Sequence, residues 1–370
     1  MPSNNHTLSI LFVPACTRLA PSTRYRVYQY LPYLKKLNIA YKIYPINGEW
    51  ITQNMIKSTH FGILRKLIYY THLTLEKIVR FFGVLYFASQ YKVIFFQRTT
   101  FPFFLEKLIW LVNKNIIFDI DDAIFLPDNK NEKLFYRLKK LVKASETPAI
   151  LKISKWSIVE NKYIESYVKK YCKNVIQIIG PIDTHKIPIN TKESSTQNLP
   201  VTIGWIGSPS TAAYLKVLSP VFKLLHQKYE IRLKLIGAGD DRHPLSDIEV
   251  ISEPWKEETE LFHLQSFDIG VMPMSDDEWS RGKLGIKMLQ YMASGIVPVV
   301  SHTPTNEEVI QNGTNGFLVK TQQEWVDTLS LLIENPKLRI ELGLNGRRSV
   351  EKLYSLDKAT GQLFQIINQL

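Results

Sequence analysis

A chain of 370 residues is more than one ordinary hydrophobic core accommodates and predicts two domains. With 45% hydrophobic and 22% charged residues, 17 Gly and 19 Pro, the composition excludes collagen-like and predominantly disordered classes, and two cysteines, Cys16 and Cys172, exclude a disulfide framework or a Cys-rich zinc module and suit a reducing, cytosolic compartment. The net charge of +12 points to an acidic partner: nucleic acid, an anionic membrane surface or a phosphorylated substrate.

The first apolar run, LSILFV from residue 8, has no basic segment before it and polar residues directly after it, so it reads as a buried strand and not as a signal peptide. Similar β-branched runs follow: YKIYPI at 41, KVIFF at 92, NIIFDI at 115, AILKIS at 149 and VIQIIG at 175. A second series comprises VTIGWIG at 201, IRLKLIG at 231, IEVIS at 248, FDIGVMP at 267, IVPVVS at 296 and GFLVK at 316. Strand-like runs alternating with longer helical stretches predict an α/β protein of two Rossmann-like domains with parallel sheets. The expected bounds are a first domain over 1–183, a polar linker over 184–200, a second domain over 201–350 and a C-terminal helix within 351–370 that can pack back on the first domain. A Pro-initiated helix is expected near Asn335. The most apolar stretch, Phe81 to Ala88, is too short to span a bilayer, so no transmembrane helix is expected.

The charge is unevenly spread: residues 1–183 hold 27 Lys and Arg against 12 Asp and Glu, residues 184–370 hold 19 against 22. Phe61 to Asn115 interleaves bases with apolar and aromatic side chains, which fits either helices covering a sheet or helices lying in an anionic membrane interface. No zinc-finger, RNP-type or helix-turn-helix signature accompanies the charge, so nucleic acid is not the expected partner.

Ligands collect at the carboxyl ends of strands in such sheets, and four segments there carry candidate chemistry. After the first run, Ser22 or Thr23 can cap a helix whose first turn holds Arg24 and Arg26; bases there oppose the helix dipole unless an anion is held beside them. In FDIDDAIF, Asp119, Asp121 and Asp122 crowd together; a cation through Asp119 and Asp121 is one reading, and Asp121 or Asp122 acting as acceptor or base toward a hydroxyl is the stronger one. Gly207 and Ser208 lead into a helix whose free N–H groups can hold a phosphate. The densest segment, WSRGKLGIKMLQYMASGIVPVVS, sets Arg281, Lys283 and Lys287 among Gly282 and Gly285, a cradle suited to a diphosphate, with Gln290 one turn beyond Lys287 and able to bond a diol.

At this point the chain resembles glycosyltransferase family four, the retaining nucleotide-sugar glycosyltransferases of GT-B fold. KMLQYMASGIVPVVS and the later EEVIQNGTNGFLV are similar to that family's pattern, and VIQIIGPIDTHKI resembles its interdomain signature. The resemblance implies two facing Rossmann-like domains around a cleft, with the donor bound mainly by the second and the acceptor by the first. It implies a nucleotide-diphosphate sugar as co-substrate and no metal or other cofactor. Carried residue by residue, Lys287 would contact the donor diphosphate, Gly285 would lend its backbone, and Gln290 would stand where the family has a ribose-binding Glu. The family's two Glu positions fall on Gly282 and Gln290, and Ala213 stands at the position of a Lys, with Arg281 and Lys283 able to supply the missing charge. The expected activity is transfer of a sugar with retention to a hydroxyl of a glycan or lipid-linked acceptor in surface-polysaccharide assembly, in the cytoplasm at the inner face of the membrane. A non-catalytic binding subunit and a sugar-nucleotide epimerase are the alternatives.

Overall fold

The computed structural model describes residues 8–55, 61–102, 105–126, 145–190, 200–239, 245, 249–275 and 277–370. In the first half, β1 (Ser9–Pro14), β2 (Ala40–Ile43), β3 (Val93–Gln97), β4 (Ile116–Ile120), β5 (Trp156–Val159) and β6 (Val175–Gln177) form one sheet. Its order is β2-β1-β3-β4-β5-β6, and every pairing is parallel. The helices are α1 (Pro21–Arg26), α2 (Leu31–Lys36), α3 (Glu49–Asn54), α4 (Ile63–Ala88), α5 (Glu106–Val112), α6 (residues 145–153) and α7 (Lys162–Val168). The central strands are buried along their whole length, which explains why their sequences are continuous apolar runs instead of alternating ones.

One run departs from expectation. AILKIS is not a strand but lies mainly in α6, and the strand comes later, at Trp156–Val159. Pro148 stands in the first turn of that helix, and the buried Thr147, Ile150 and Leu151 repeat at three and four residues, the spacing of one helix face. IEVIS also starts its strand late, at Ile251, and residues 246–248 lie outside those described.

The second half builds β7 (Val201–Ile206), β8 (Ile231–Ile236), β9 (Ile251–Glu253), β10 (Ile269–Met272), β11 (Val297–Ser301) and β12 (Phe317–Val319). These form a parallel sheet in the order β12-β11-β10-β7-β8-β9. Its helices are α8 (Pro209–Ala212), α9 (Ser219–Lys228), α10 (Glu260–Gln265), α11 (Glu278–Arg281), α12 (Ile286–Ala293), α13 (Gln322–Glu334), α14 (Pro336–Ser349) and α15 (Leu356–Ile367).

The chain divides into two compact units, Met1–Pro181 with Ala359–Leu370, and Ile182–Lys358. Each has its own core, around Leu11, Phe96 and Phe118 in the first and around Trp205, Leu235 and Trp325 in the second. Of the expected linker, residues 191–199 lie outside those described, while Thr184 and Ile187 accept hydrogen bonds from the buried Arg347 and so belong to the second unit.

In each sheet the strand order reverses between two neighbours, β1 and β3 in the first unit and β7 and β10 in the second. Connections leave such a pair in opposite directions, which opens a crevice at their carboxyl ends. β7 and β10 pair only through Ile269 with Ile203 and Gly270 with Gly204 before they part. The Tyr291 hydroxyl of α12 spans the gap, accepting from Ile206 N–H and donating to the Val271 carbonyl, each at 3.2 Å. A Cβ on Gly270 would stand 2.4 Å from the Tyr291 ring, so only glycine lets that ring reach the strands. Among the described residues, no helix is long and apolar enough to cross a membrane.

Candidate functional site

In the second unit, the β7–β10 crevice holds Lys287, in the first turn of α12. Its ammonium donates to Thr211 Oγ1 at 3.0 Å and sits 4.4 Å from the centre of the Trp205 ring. Its stem runs past Gly207, where a Cβ would lie 2.7 Å from Lys287 Cε and 2.6 Å from the Trp205 ring. Gly207 is therefore required by the lysine's path. Among the described residues, no carboxylate pairs with Lys287; burial pushes its ammonium down to about 7, and the neighbouring charge of Lys283 adds to the effect. A desolvated cation beside another cation, at the end of a strand pair that opens, is the electrostatic condition for holding an anion.

The other predicted donor residues take distinct places. Ser208 is the N-terminal flank of α8, where its carbonyl accepts from Thr211 Oγ1 at 3.0 Å. Gly285 begins α12, and a Cβ there would stand 2.0 Å from Met272 Sδ, so the glycine permits close packing of helix on strand. Arg281 ends α11 with an exposed side chain, and its carbonyl accepts from Thr305 Oγ1 at 2.5 Å.

Gln290 is buried and donates to Glu260 Oε1 at 2.6 Å; the second oxygen of Glu260 accepts from Trp255 Nε1, also at 2.6 Å. A carboxylate thus stands beside the glutamine, delivered from the start of α10. Sequence reasoning missed Glu260 because it lies 30 residues from Gln290 on another element. Missed as well was Trp205, whose apolar character gives no signal until Lys287 is seen against its ring.

The β1–β3 crevice of the first unit gathers charge of both signs, and it corrects the expectation for α1. That helix starts at Pro21 with Ala20 as its cap, so neither Ser22 nor Thr23 caps it, and Arg24 and Arg26 fall in its last turn. Arg26 is fully buried and already partnered. Its guanidinium makes a forked pair with Asp119 and donates to the carbonyls of Ile178 at 2.7 Å and Gly180 at 2.8 Å. It is a structural clamp from β4 to the exit of β6, not a ligand site. Arg24 donates to the carbonyls of Arg18 at 3.5 Å and Leu19 at 3.4 Å. The cation reading of Asp119 and Asp121 fails for the same reason, since Asp119 is committed to Arg26; among the described residues no group of three or more His, Cys, Asp or Glu is disposed to hold a metal.

Asp121 and Asp122 converge on Arg98, a residue that sequence reasoning did not single out. Arg98 Nε lies 3.5 Å from Asp121 Oδ1, and Nη1 lies 2.9 Å from Asp122 Oδ2 and 3.3 Å from Ser22 Oγ. Its backbone has φ 56, a left-handed conformation that non-glycine residues seldom adopt, held by the bond from its N–H to the Asp119 carbonyl. Strain at the switch point of an open sheet marks a residue placed for a purpose beyond packing.

Asp121 is buried, and burial lifts its carboxyl to about 6; Arg98 opposes the rise, while Asp122 and Asp119 reinforce it. Glu160, at the end of β5, is pushed well above the usual carboxylate range by burial, with Arg26 opposing and the three aspartates adding to it. Glu160 escaped notice because the WSIV run directly before it was passed over in favour of AILKIS.

The architecture is the GT-B fold, two parallel α/β units in one chain. Residues 200–335 match the family model described as Glycosyl transferases group 1, so the pattern of that family lies on the unit that carries Lys287. Among solved structures, the chain is similar to sucrose-phosphate synthase from Thermosynechococcus elongatus, with 14% identity over 98% of both chains and a TM-score of 0.68. It is also similar to a glycosyltransferase from Rickettsia africae, with 13% identity over 98% of both chains and a TM-score of 0.67. Anabaena HepE in complex with UDP is matched with 12% identity over 98% of this chain and 100% of that one, at a TM-score of 0.69. No curated protein matches the sequence.

Proposed function

We propose that this protein is a glycosyltransferase that moves a sugar, with retention of anomeric configuration, from a nucleotide-diphosphate sugar to a hydroxyl of a glycan or lipid-linked acceptor in surface-polysaccharide biosynthesis. The observation that carries the reading is the desolvated Lys287 ammonium, with no carboxylate partner among the described residues, beside Gly207 and Thr211 at the β7–β10 switch point. The match of residues 200–335 and the UDP bound by the HepE structures support a nucleotide-sugar donor. The transferase pattern of the α12 segment supports retention.

In this reading the second unit holds the donor and the first the acceptor. As the bond from the anomeric carbon to the diphosphate oxygen breaks, negative charge grows on the departing nucleoside diphosphate, and Lys287 with Lys283 stabilises it. The acceptor hydroxyl bonds to the anomeric carbon on the face that the diphosphate leaves, which keeps the anomeric configuration, and gives up its proton. Asp121, ionised above about 6 and steadied by Arg98, takes that proton. Glu260, fixed by Gln290 and Trp255, supplies the carboxylate for a ribose diol. No metal is assigned a role.

The first test is a thermal-shift panel of uridine, guanosine, adenosine and thymidine diphosphates and their sugars, since a ligand that binds only the folded chain raises its melting temperature. Stabilisation by one base, lost in Lys287→Ala, is expected; no shift with any of them overturns the donor reading. Turnover of the radiolabelled donor then separates a transferase from the non-catalytic subunit that Gly282 and Gln290 would permit. Product without acceptor would identify an epimerase.

A further inference from the structure

α4 packs on the core of the first sheet through Phe81, Val84 and Ala88, buries Tyr69 beside Trp50 of α3, and leaves the opposite side bare. Leu64, Leu67, Leu75, Ile78, Phe82 and Tyr86 are each between 51% and 72% exposed. Their spacings of three, four and eight residues put all six on one stripe, which runs most of the length of a 26-residue helix, about 40 Å at 1.5 Å per residue. A helix covering a sheet has no need of a second apolar face, and large contiguous patches of this kind mark interaction surfaces. The adjoining α5 extends the patch with Leu108, Leu111 and Val112, all exposed.

Charge decides what covers it. Between residues 61 and 115 the chain holds eight Lys and Arg and only two carboxylates, Glu76 and Glu106. Glu76 is paired with Arg80 at 2.9 Å and Glu106 is buried, while Arg65, Lys107 and Lys114 are exposed, so the segment presents an excess of bases. A second copy of this chain laid face to face would set these cations against their own equivalents. An anionic bilayer offers both complements at once, acyl chains to the stripe and phosphate headgroups to the rim of bases.

We propose that α4 and α5 form a docking surface by which the first unit lies on an anionic lipid bilayer, with the stripe in the interface and no segment crossing it. The exposed Tyr70 and Tyr86 suit the headgroup level, where amphipathic rings accumulate. This inference is independent of the sugar-transfer reading, because adsorption requires neither donor nor acceptor.

The test is co-sedimentation of the full chain with phosphatidylcholine vesicles, alone and with about 30 mol % phosphatidylglycerol. Binding to the anionic vesicles is expected, reduced but not abolished at about 0.5 M NaCl, because screening removes the electrostatic part only. Leu67→Glu with Phe82→Glu alters exposed positions, so folding is retained, checked by an unchanged melting temperature, and the partition coefficient should fall at least about tenfold. Leu224→Glu, exposed on the second unit, should leave binding unchanged. No binding to anionic vesicles, or binding indifferent to the double substitution, overturns the proposal. So does a dimer in sedimentation that the same substitution dissolves, which would show the face covered by a second copy.

Discussion

At the scale of single residues, two groups poised close to neutrality set a specific pH signature. Asp121 must be ionised to accept a proton, so activity rises as pH passes through about 6. Lys287 must be protonated to hold a diphosphate; in the free protein it loses its proton near 7, and donor affinity falls as pH rises beyond that. The pH dependence of kcat/KM for the donor should therefore be a narrow bell, since that ratio reports the free protein's groups. Asp121→Asn should remove the acid limb and lower turnover far more than donor affinity, while Lys287→Arg should remove the alkaline limb; limbs that stay in place would refute the assignments. Lys287→Ala should weaken nucleoside-diphosphate binding by about 1–3 kcal/mol, the loss of a charged hydrogen bond, as measured by calorimetry. Stability has the opposite sign. A lysine titrating near 7 when folded and about 10.4 when unfolded binds fewer protons in the native state between those values, so the native state gains stability as pH rises across that window and is penalised below it. Lys287→Met should accordingly raise the melting temperature at pH 7 even as it abolishes donor binding, the trade expected of a functional cation.

At the scale of elements, α12 fastens β7 and β10 at their switch point, and α1 fastens β4 to the exit of β6. Removing the Tyr291 hydroxyl in Tyr291→Phe leaves Ile206 N–H and the Val271 carbonyl buried and unmatched, which should cost about 1–3 kcal/mol in denaturant unfolding. Arg26→Ala strands Asp119 in the core and should cost about 3–5 kcal/mol, with no specific effect on donor affinity in the protein that remains folded. The sequence carried most of the strands, because buried parallel strands are short apolar runs bounded by polar residues. It misplaced β5, because AILKIS and WSIV are both apolar runs and only the three-and-four spacing of Thr147, Ile150 and Leu151 separates helix from strand. Lys287, Gly207 and Asp121 were legible from local patterns of glycine, base and acid. Arg98, Glu160 and Glu260 were not, since each gains its meaning from partners on other elements. Arg26 misled for the same reason: a base near the start of a helix reads as an anion site until its buried aspartate, 93 residues away, is in view.

At the scale of the whole molecule, the chain's return to its first unit is a structural commitment that the order of domains along the sequence conceals. α15 begins in the second unit at Leu356, and residues Ala359–Leu370 belong to the first. There Leu363, Ile366 and Ile367 are buried to within 1% of their surface, and Gln362 donates to the Gln177 carbonyl at 3.4 Å, beside β6. Burying three such side chains contributes on the order of 5–8 kcal/mol, which is comparable with the entire stability of an ordinary domain. The core of the second unit is built from β7, β8, β10, β11 and β12 with Trp325 and Leu329 of α13 and Leu342 of α14, and residues 359–370 are not among its members. Ending the chain after Lys358 should therefore unfold the first unit and spare the second. Hydrogen exchange followed by mass spectrometry reads this directly. Amides of β1, β3 and β4 should lose protection while those of β7, β10 and β11 keep it, and a nucleoside diphosphate that protects the second unit of the full chain should still do so in the truncated one. Protection retained in β1 and β3 would show that the first core closes without the returning helix. Loss of protection throughout would show that donor binding depends on both units being folded, and that Lys287 is not held by the second unit alone.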